Sequence, residues 1–531
     1  MKKYILILAA ATTLGFTSCG SDYLDTTPND AISRSTAFST TKNCALAVNG
    51  LAKQMTNQYL GTQGLNGEGT ILNWYNDFNG NDHQKCANTG WSSLWNNLAS
   101  FKTSKTSLYT YYPWYYYYKL IGNANAIIDA VDDAEGTESE KAFIKAQALV
   151  YRAYSFYRLS TLYSKRWCDS NNGASHGIVL RLKATDPTED QAQAQATLAE
   201  TYQQIYADLD QAISLFSSSS EKRSSSEFYL PDLSVAYAVK ARAALYREDW
   251  QTAADCAAKA RSGYSIMGEK AYAEGFNSPN DEWIWGVYEA EDQTLYYYSY
   301  FAYIGSNASG SQGRNYPLAI SKELIDKIPT TDVRRNLYLV PQSDAEFKTM
   351  TASGSTAGRV TKGAMYQRAV NSGYLYATSR VYGYMQFKLR AAFMPGGGSF
   401  NLFRAAEMYY TEAEADCHLG KEAEARQLLY DVVHPYDASY VLSTKTGNDL
   451  LDEVTTYRRF DLFGEGFDWT DCKRWKKDIA RKELKVSAGL ASPGSFNSTF
   501  AITIPAGDDT RWIWAIPNKE TDYNSAILAD E

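Results

Sequence analysis

The sequence predicts a mostly α-helical protein that is built from pairs of helices and interrupted by long loops. Three observations predict this fold class. Apolar residues recur every three or four positions over long stretches, two alanine-rich segments each have the pattern of two helices joined by a short turn, and other long stretches have no helical period. With 531 residues, the chain is long enough for two or three ordinary domains or for one large array of repeats.

The first 38 residues precede the predicted fold. A short basic segment is followed by an apolar stretch and by small residues that end at Cys19. This order is typical of a secretory signal, and the apolar part is too short for a permanent membrane helix. A cysteine directly after Thr17 and Ser18 resembles the lipobox of bacterial lipoproteins, and the alternative is an ordinary signal with a cysteine at its cleavage site. We therefore predict a signal peptide at residues 1–18, and a lipid-bearing Cys19 with its tether at residues 19–38.

Helical periodicity dominates the chain after the tether. Apolar spacing predicts helices over residues 40–59, 140–165 and 197–216, and the first is expected to be amphipathic with Leu46, Leu51 and Met55 on its apolar side. Residues 233–261 and 403–432 each contain an alanine-rich helix, a short polar turn and a second alanine-rich helix. This pattern resembles the tetratricopeptide unit, in which small residues let two antiparallel helices approach closely. The predicted scaffold therefore consists of tetratricopeptide-like helix pairs.

Three aperiodic insertions interrupt this scaffold, near residues 60–112, 275–317 and 341–400. They are rich in Gly, Asn, Ser, Tyr and Trp. Loops of this length are usually functional or disordered, and their aromatic content argues against disorder. Together with the helices they form one predicted domain at residues 39–531.

The densest aromatic run is LYTYYPWYYYYKL at residues 108–120. Such a run could be a stacking platform for a sugar or a base, or the crowded face of a buried helix. Pro113 suits the first turn of a helix, and the aromatic and apolar residues from Trp114 onward recur at helical spacing. We interpret the run mainly as helix packing. The tyrosines before the predicted helix stay candidates for contact with a ligand, and they are Tyr109, Tyr111 and Tyr112.

Charge and motifs exclude several classes of function. A formal net charge of −8 without a basic stripe argues against nucleic-acid binding. The four histidines form no HExxH motif, and no G-x-S-x-G motif occurs. The segment DFNGND at residues 77–82 weakly resembles a calcium loop, but position 88 is Asn where the spacing needs Glu. We expect no cofactor and no metal, whereas a glycosidase needs only two carboxylates and stays an alternative.

Several segments together carry a family resemblance. These are the signal with Cys19, RAYSFYRLSTLYSKRW, FRAAEMYYTEAEADCHLG, YRRFDLFGEGFDWTDCKRW and the C-terminal AIPNKETDYN. They resemble the SusD/RagB family of Bacteroidetes outer-membrane lipoproteins, from residue 19 to about residue 525. The most specific segment is residues 457–475, which departs from the family pattern at Phe467 and Asp468, where a basic residue is usual. There we predict a helix ending at Gly464 or Gly466, a second helix carrying Trp475, and charges that form structural salt bridges.

The resemblance implies a fold and a function. The fold would have four tetratricopeptide-like helix pairs, with variable loops on the opposite side that bind a glycan. The function would be non-catalytic binding of a polysaccharide or oligosaccharide and its delivery to a SusC-like TonB-dependent transporter. The protein would be lipid-anchored to the outer membrane and exposed at the cell surface, as the small and acidic residues after Cys19 also indicate. The alternatives are a helical-repeat scaffold that binds proteins or peptides, and a glycoside hydrolase.

A sugar site needs rings that stack on C–H faces and polar side chains that bond hydroxyls. The loop at residues 72–97 supplies both kinds of side chain, and two further loops supply additional candidates. Each ring could instead pack within the protein, since tryptophan is usually largely buried and the tyrosines alternate as in a strand. The candidate rings are Trp74, Trp91, Trp95, Tyr296 and Tyr298. The candidate polar residues are Asn79, Asn81, Asp82, Gln312 and Arg314, and Tyr316 offers both a ring and a hydroxyl.

Overall fold

The computed structural model describes residues 34–62, 64–87, 98–184, 192–293, 298–352, 354–484 and 500–527. Within these ranges, helices dominate and the strands form small two-stranded sheets. The prediction of a mostly α-helical fold is confirmed. No helix in the described ranges has the length and apolar character needed to cross a membrane.

Eleven helices of seven or more residues occur in the described part of the chain. They are α1 Thr41–Gln54, α2 Leu108–Ala130, α3 Glu138–Tyr163, α4 Leu198–Ser218, α5 Leu233–Tyr246, α6 Trp250–Ala260, α7 Ala364–Asn371, α8 Ala405–His418, α9 Glu422–Val433, α10 Gly447–Asp461 and α11 Asp468–Arg474. Shorter α-helices are Arg34–Ala37, Gly67–Thr70, Leu98–Thr103, Glu269–Tyr272, Tyr300–Ile304, Ser311–Asn315, Lys322–Ile325, Asp344–Phe347, Asp509–Trp512 and Asn518–Thr521, and a π-helix spans Ile71–Asn76. Single turns of 3₁₀-helix are Asp77–Asn79, Val131–Asp133, Trp167–Asp169, Ser225–Glu227, Glu291–Gln293, Val333–Leu337 and Gly354–Thr356.

The long helices pack on one another in succession. Helix α2 packs on α3, α3 on α4, α4 on α5, and α5 on α6, while α8 packs on α6, α9 and α10. The predicted helix pairs correspond to α5 with α6 and to α8 with α9, although the second pair begins at Ala405. Capping boxes define the first turns of α3 and α4, where Thr137 pairs with Glu140 and Thr197 with Glu200.

The strands tie distant loops to the helical scaffold. They are β1 His83–Lys85, β2 Trp283–Val287, β3 Leu318–Ile320, β4 Arg359–Val360, β5 Val381–Tyr382, β6 Phe400–Arg404, β7 Ile479–Arg481 and β8 Ile502–Ile504. All pairs are antiparallel: β1 with β3, β2 with β6, β4 with β5 and β7 with β8. The β2–β6 pair is buried throughout and leads directly into α8.

The tyrosine run is buried helix packing, but its helix begins earlier than predicted. Helix α2 starts at Leu108, so Pro113 lies inside it rather than in its first turn. Proline has no N–H to donate to the Tyr109 carbonyl, which instead accepts a hydrogen bond of 2.6 Å from the Tyr75 hydroxyl. One residue on, the Tyr163 hydroxyl donates to the Thr110 carbonyl at 2.6 Å and accepts from the backbone N–H of Trp114 at 3.1 Å. Side chains from neighbouring elements therefore replace the helical bonds around the proline.

Two other predictions of secondary structure were wrong in detail. The stretch near residues 60–112 is not a structureless loop, because it contains the fully buried π-helix Ile71–Asn76 and the start of α2. In α1, Leu46 was expected on the buried side but is 61% exposed, and the buried face instead runs through Cys44, Val48 and Leu51. These residues follow helical spacing more closely than Leu46 does.

The charges of residues 457–475 form buried salt bridges, as predicted. Arg458 bonds Asp471 at 2.8 Å, and Arg474 bonds both Asp471 at 2.7 Å and Glu414 at 2.7 Å. The helix itself ends earlier than predicted, at Asp461.

A separate set of buried ion pairs surrounds Arg404 of β6, which donates to Glu282, Asp461 and Glu465 over 2.7–2.9 Å. Lys388 donates to Glu465 at 2.6 Å. We call these five residues the ion-pair core.

Candidate ligand-binding face

Five aromatic side chains from separate segments meet beside α2. Trp74 of the π-helix packs edge-on against Tyr303 with ring centroids 5.2 Å apart, and lies 6.1 Å from Tyr109. Tyr109 also contacts Phe101 at 4.8 Å, and Tyr303 contacts Tyr298 at 6.3 Å. We call these five residues the aromatic cluster.

A tight segment before the π-helix holds the cluster together. Gly64 has a φ of +91°, and a Cβ at this position would lie 2.6 Å from the Trp74 ring and 2.8 Å from the Tyr303 hydroxyl. Only glycine combines this backbone conformation with so close an approach. Two residues further on, the Asn66 side-chain amide donates to the Tyr298 carbonyl. The segment thus fixes the positions of both tyrosines relative to Trp74.

The cluster is buried on one side and open on the other. Trp74 and Tyr303 are buried at 3% and 4% exposure, whereas Phe101, Tyr109 and Tyr298 are half-buried. Burial raises the pKa of Tyr109 and holds the pKa of Tyr303 well above its usual range, so both hydroxyls stay protonated and able to donate. The half-buried rings offer apolar area for stacking above a rigid aromatic base.

A polar corner adjoins the aromatic cluster through the short helix Tyr300–Ile304, which packs on the π-helix and on the helix Ser311–Asn315. The backbone N–H of Arg380 donates to the Arg314 carbonyl at 2.8 Å, and the Arg380 guanidinium lies 5.9 Å from the centre of the Tyr316 ring. Arg314 also donates to the Thr378 hydroxyl at 3.3 Å. Gln312, Arg314 and Tyr316 are all partly exposed, so this corner supplies donors and one ring next to the cluster.

The structure therefore brings several sequence-predicted residues near one another. Tyr298, Gln312, Arg314 and Tyr316 lie on neighbouring elements with partly exposed side chains. Trp74 belongs to the same cluster, but it is buried and supports the other rings instead of offering a free face. Sequence reasoning missed Phe101, Tyr303 and Arg380, because no periodicity or motif marks a contact between segments so far apart in the chain.

The polar residues predicted after Trp74 have structural partners instead of a free surface. The Asn79 side chain is fully buried and donates to the Trp74 carbonyl at 2.8 Å, and Asp82 is buried in an ion pair with Arg459 at 2.6 Å. The Asn81 amide donates to the Asp478 carbonyl at 2.9 Å and its oxygen accepts from the Ala480 N–H at 2.7 Å.

A reciprocal exchange of carboxylates fixes this segment to the start of α11. Asp77 accepts from the backbone N–H groups of Gly466 and Phe467, and Asp468 accepts from those of Asn81 and Asp82. We therefore place Asn79 and Asp82 in the scaffold, and this corrects their expected role as hydroxyl partners.

Four sequence-predicted residues, Trp91, Trp95, Tyr296 and Cys19, lie outside the described residues. The helix Leu98–Thr103, which carries Phe101, begins three positions after Trp95, and Tyr298 follows Tyr296 by two positions. The roles of all four residues stay predictions.

The fold and this face define a class of protein: a helical-repeat scaffold with an aromatic surface formed by its insertions. Residues 22–245 match the family described as "Starch-binding associating with outer membrane", and residues 250–528 match the "SusD family". The chain therefore belongs to the SusD family.

Solved structures share the fold at low sequence identity. A SusD-like carbohydrate binding protein from Bacteroides vulgatus ATCC 8482 is 22% identical with a TM-score of 0.74, covering 92% of this chain and 98% of its own. A sugar binding protein described as putative, from the same organism, is 19% identical with a TM-score of 0.72, covering 93% and 98%. A laminarin binding SusD-like protein is 17% identical with a TM-score of 0.61, covering 92% and 98%. No curated protein matched the chain.

Proposed function

We propose that this protein binds a polysaccharide or oligosaccharide at the cell surface without cleaving it, and delivers it to a SusC-like TonB-dependent transporter in the outer membrane. Cys19 would carry the lipid anchor. The observation that carries the binding proposal is the aromatic cluster, in which half-buried rings rest on a buried Trp74 and Tyr303 beside a polar corner. This combination matches the apolar faces and the hydroxyls of a sugar.

Membership in the SusD family supports the same proposal. Among structures of the same fold, one bears the name of a carbohydrate binding protein and another that of a laminarin binding protein. The glycan of this chain is not carried over from those names, since the identities are only 22% and 17%. Specificity depends on loop residues grafted onto a shared fold.

The test is calorimetry and affinity electrophoresis of the purified protein against a panel of neutral and charged glycans. Tyr298→Ala should weaken binding of the best glycan roughly tenfold, because a stacked ring contributes about 1–2 kcal/mol. Trp91→Ala and Trp95→Ala should weaken binding sharply while the fold stays intact. Tyr523→Ala is the matched control, because Tyr523 is 84% exposed and lies outside the cluster.

Three outcomes separate the functions. Binding without new reducing ends supports a binder, and the release of new reducing ends would establish a glycoside hydrolase instead. If the protein bound no glycan of the panel, a scaffold that binds proteins would be favoured. Unchanged affinity in all the aromatic variants, with correct folding by circular dichroism, would move the site away from the aromatic cluster.

A further inference from the structure

A cavity lies between the end of α1 and the outer face of α2. It has a volume of about 430 Å³, within the range of small-ligand sites. Its lining includes Lys53, Asn57, Gln58, Tyr59, Tyr115 and Lys119. We call this cavity the lysine pocket.

The two lysines of the pocket have no carboxylate partner. Both side chains are exposed, and neither forms an ion pair within 4.0 Å in the described part of the chain. The Lys119 ammonium lies 5.6 Å from the centre of the Tyr59 ring and 5.8 Å from that of Tyr115. In a chain with a formal net charge of −8, this pocket thus holds two ammonium groups, and that of Lys119 lies near two tyrosine rings.

Helix capping does not account for these lysines. Lys53 lies in the last turn of α1, where a cation is favourable, but the carbonyls of that turn already have donors. The Lys53 carbonyl accepts from the backbone N–H and the hydroxyl of Thr56, and the Gln54 carbonyl accepts from the Tyr59 hydroxyl at 2.7 Å. Lys119 is eleven residues before the end of α2 at Ala130, so it caps no helix terminus.

The lysine pocket is adjacent to the aromatic cluster along the chain. Leu60 lines the pocket with a φ of +55°, a left-handed conformation that costs free energy for a side chain other than glycine. Four residues later, Gly64 contacts Trp74 and Tyr303 of the cluster. Four extended residues span at most about 14 Å, so a short oligosaccharide could contact both places.

We propose that the lysine pocket binds an anionic unit of the glycan, a uronate carboxylate or a sulfate ester, while neighbouring units stack on the aromatic cluster. This inference rests on the proposed function and adds the substrate class. Asn57 and Gln58 supply amides for the hydroxyls of the same unit, and the concave shape with its tyrosine floor fits a sugar ring better than a flat membrane surface.

Lys53 is the weaker of the two cations for an anion, because burial lowers its pKa and two acidic groups act on it. Glu289 and Asp292 are the acids whose charge acts on Lys53. Burial raises the pKa of Glu289 to about 8, although the Gly398 N–H and Lys53 lower it, so this carboxyl is mostly protonated at neutral pH. Lys119, on the α2 side of the pocket, is the stronger candidate for direct contact.

The test compares each charged glycan with a charge-masked form of the same sugar, such as oligogalacturonate with its methyl ester, and sulfated oligosaccharides with their desulfated forms. The wild-type protein should bind one charged form at least tenfold more tightly, and salt should reduce this preference. Lys119→Gln and Lys53→Gln should each lower the affinity for the charged form roughly tenfold, because each removes a charge-assisted hydrogen bond. The same variants should lower the affinity for the masked form much less, because the masked unit carries no charge for the ammonium group to bind.

The chain offers a matched control in Lys259→Gln. Lys259 is also an exposed lysine over a tyrosine ring, 5.3 Å from the centre of Tyr237, but it lies on the scaffold helix α6. The Lys259→Gln variant loses the same charge at a position that does not line the pocket. Its affinity for the charged glycan should therefore equal that of the wild type.

Each remaining result has a distinct meaning. The anionic-sugar inference would be overturned if the protein bound only neutral glycans. It would also be overturned if the lysine variants bound the charged forms as tightly as the wild type. Either result would leave the proposed function standing. Failure to bind any glycan would overturn the proposed function itself. Lysine-dependent binding to vesicles that contain phosphatidylglycerol, without such binding to glycans, would assign the two lysines to a membrane surface and overturn the inference.

Discussion

The ion-pair core and the lysine pocket use charge in opposite ways. In the core, Arg404 is 1% exposed and donates hydrogen bonds to three carboxylates. Its charge is therefore neutralised inside the fold. In the pocket, Lys53 and Lys119 are exposed and have no carboxylate within 4.0 Å among the described residues. Charges of the ion-pair core are therefore buried and paired, whereas the two lysines of the pocket are exposed and have no ion pair among the described residues.

The aromatic residues show the same division. Tyr116 and Tyr117 of α2 are completely buried, whereas Tyr109 and Tyr298 of the aromatic cluster are only half-buried. One helix, α2, thus contributes rings both to the core and to the ligand face. Substitutions of the buried and bonded residues should therefore lower the stability of the fold, whereas substitutions of the partly exposed residues should lower the affinity for a ligand.

The largest effect should follow from breaking the ion-pair core. Arg404→Met would leave Glu282, Asp461 and Glu465 buried together with too few cations, and removing one partner of a buried pair costs about 3–5 kcal/mol. We expect a large fall in the midpoint of urea unfolding, or failure to fold. Lys141→Met is the control, since its pair with the exposed Glu138 should contribute under about 1 kcal/mol. Similar losses in the two variants would contradict the distinction between the regions.

The next effect is a difference in pH dependence. Burial alone would raise the pKa of Asp461, but Arg404 and Arg334 outweigh it and hold this pKa at about 2. A lowered pKa adds stability that is complete above the ordinary value near 4 and is lost as the pH falls toward 2. Glu289, on which Lys53 of the lysine pocket acts, has its pKa raised by burial to about 8, so its contribution is present below its ordinary value of 4.5 and is lost as the pH rises through 8.

Glu289→Gln should therefore stabilise the protein increasingly as the pH rises from about 4.5 to about 8. We expect its free energy of unfolding to exceed that of the wild type by on the order of 1–3 kcal/mol above about pH 8, and the two to converge near pH 4. Urea unfolding at a series of pH values measures this difference. A constant difference across the whole range would show that ionisation of Glu289 does not cause it.

The scaffold could be predicted from the sequence far better than the ligand face. Helices α5, α6, α8 and α9 follow from alanine-rich periodicity, because a buried helix face needs apolar residues at fixed spacing. The salt bridges of residues 457–475 could be predicted in kind, since charges alternate there without a nucleophile. Arg404, which pairs with Asp461 and Glu465 of the same segment, lies on a distant strand that no local pattern connects to them.

The ligand face depends on contacts between segments far apart in the chain. Trp74 meets Tyr303, and the Asn66 amide meets the Tyr298 carbonyl, over separations of more than two hundred residues. Asn79 and Asp82 have the composition of a sugar site, yet their partners are the Trp74 carbonyl and Arg459. Side-chain type alone does not distinguish a polar group that faces a ligand from one that completes a buried network.

The smallest effect concerns Pro113, which lies in α2 between Tyr109 of the aromatic cluster and the buried Tyr116. The Tyr109 ring belongs to the aromatic cluster, while its carbonyl accepts the Tyr75 hydroxyl because Pro113 has no N–H to donate. Tyr75→Phe should therefore cost about 1–2 kcal/mol, the penalty for a buried carbonyl that loses its donor. In a Pro113→Ala background the new N–H can bond this carbonyl, so the same substitution should cost about 1 kcal/mol less.

Tyr112→Phe supplies the control for this cycle. The Tyr112 hydroxyl is also buried, but it donates to the Gly67 carbonyl at 2.8 Å, which does not depend on Pro113. Its cost in urea unfolding should be the same in both backgrounds. If the cost of Tyr75→Phe is also the same in both backgrounds, the hydroxyl does not replace the missing helical bond. Coupling confined to Tyr75 would instead show that the scaffold stabilises the backbone from which Tyr109 presents its ring to a ligand.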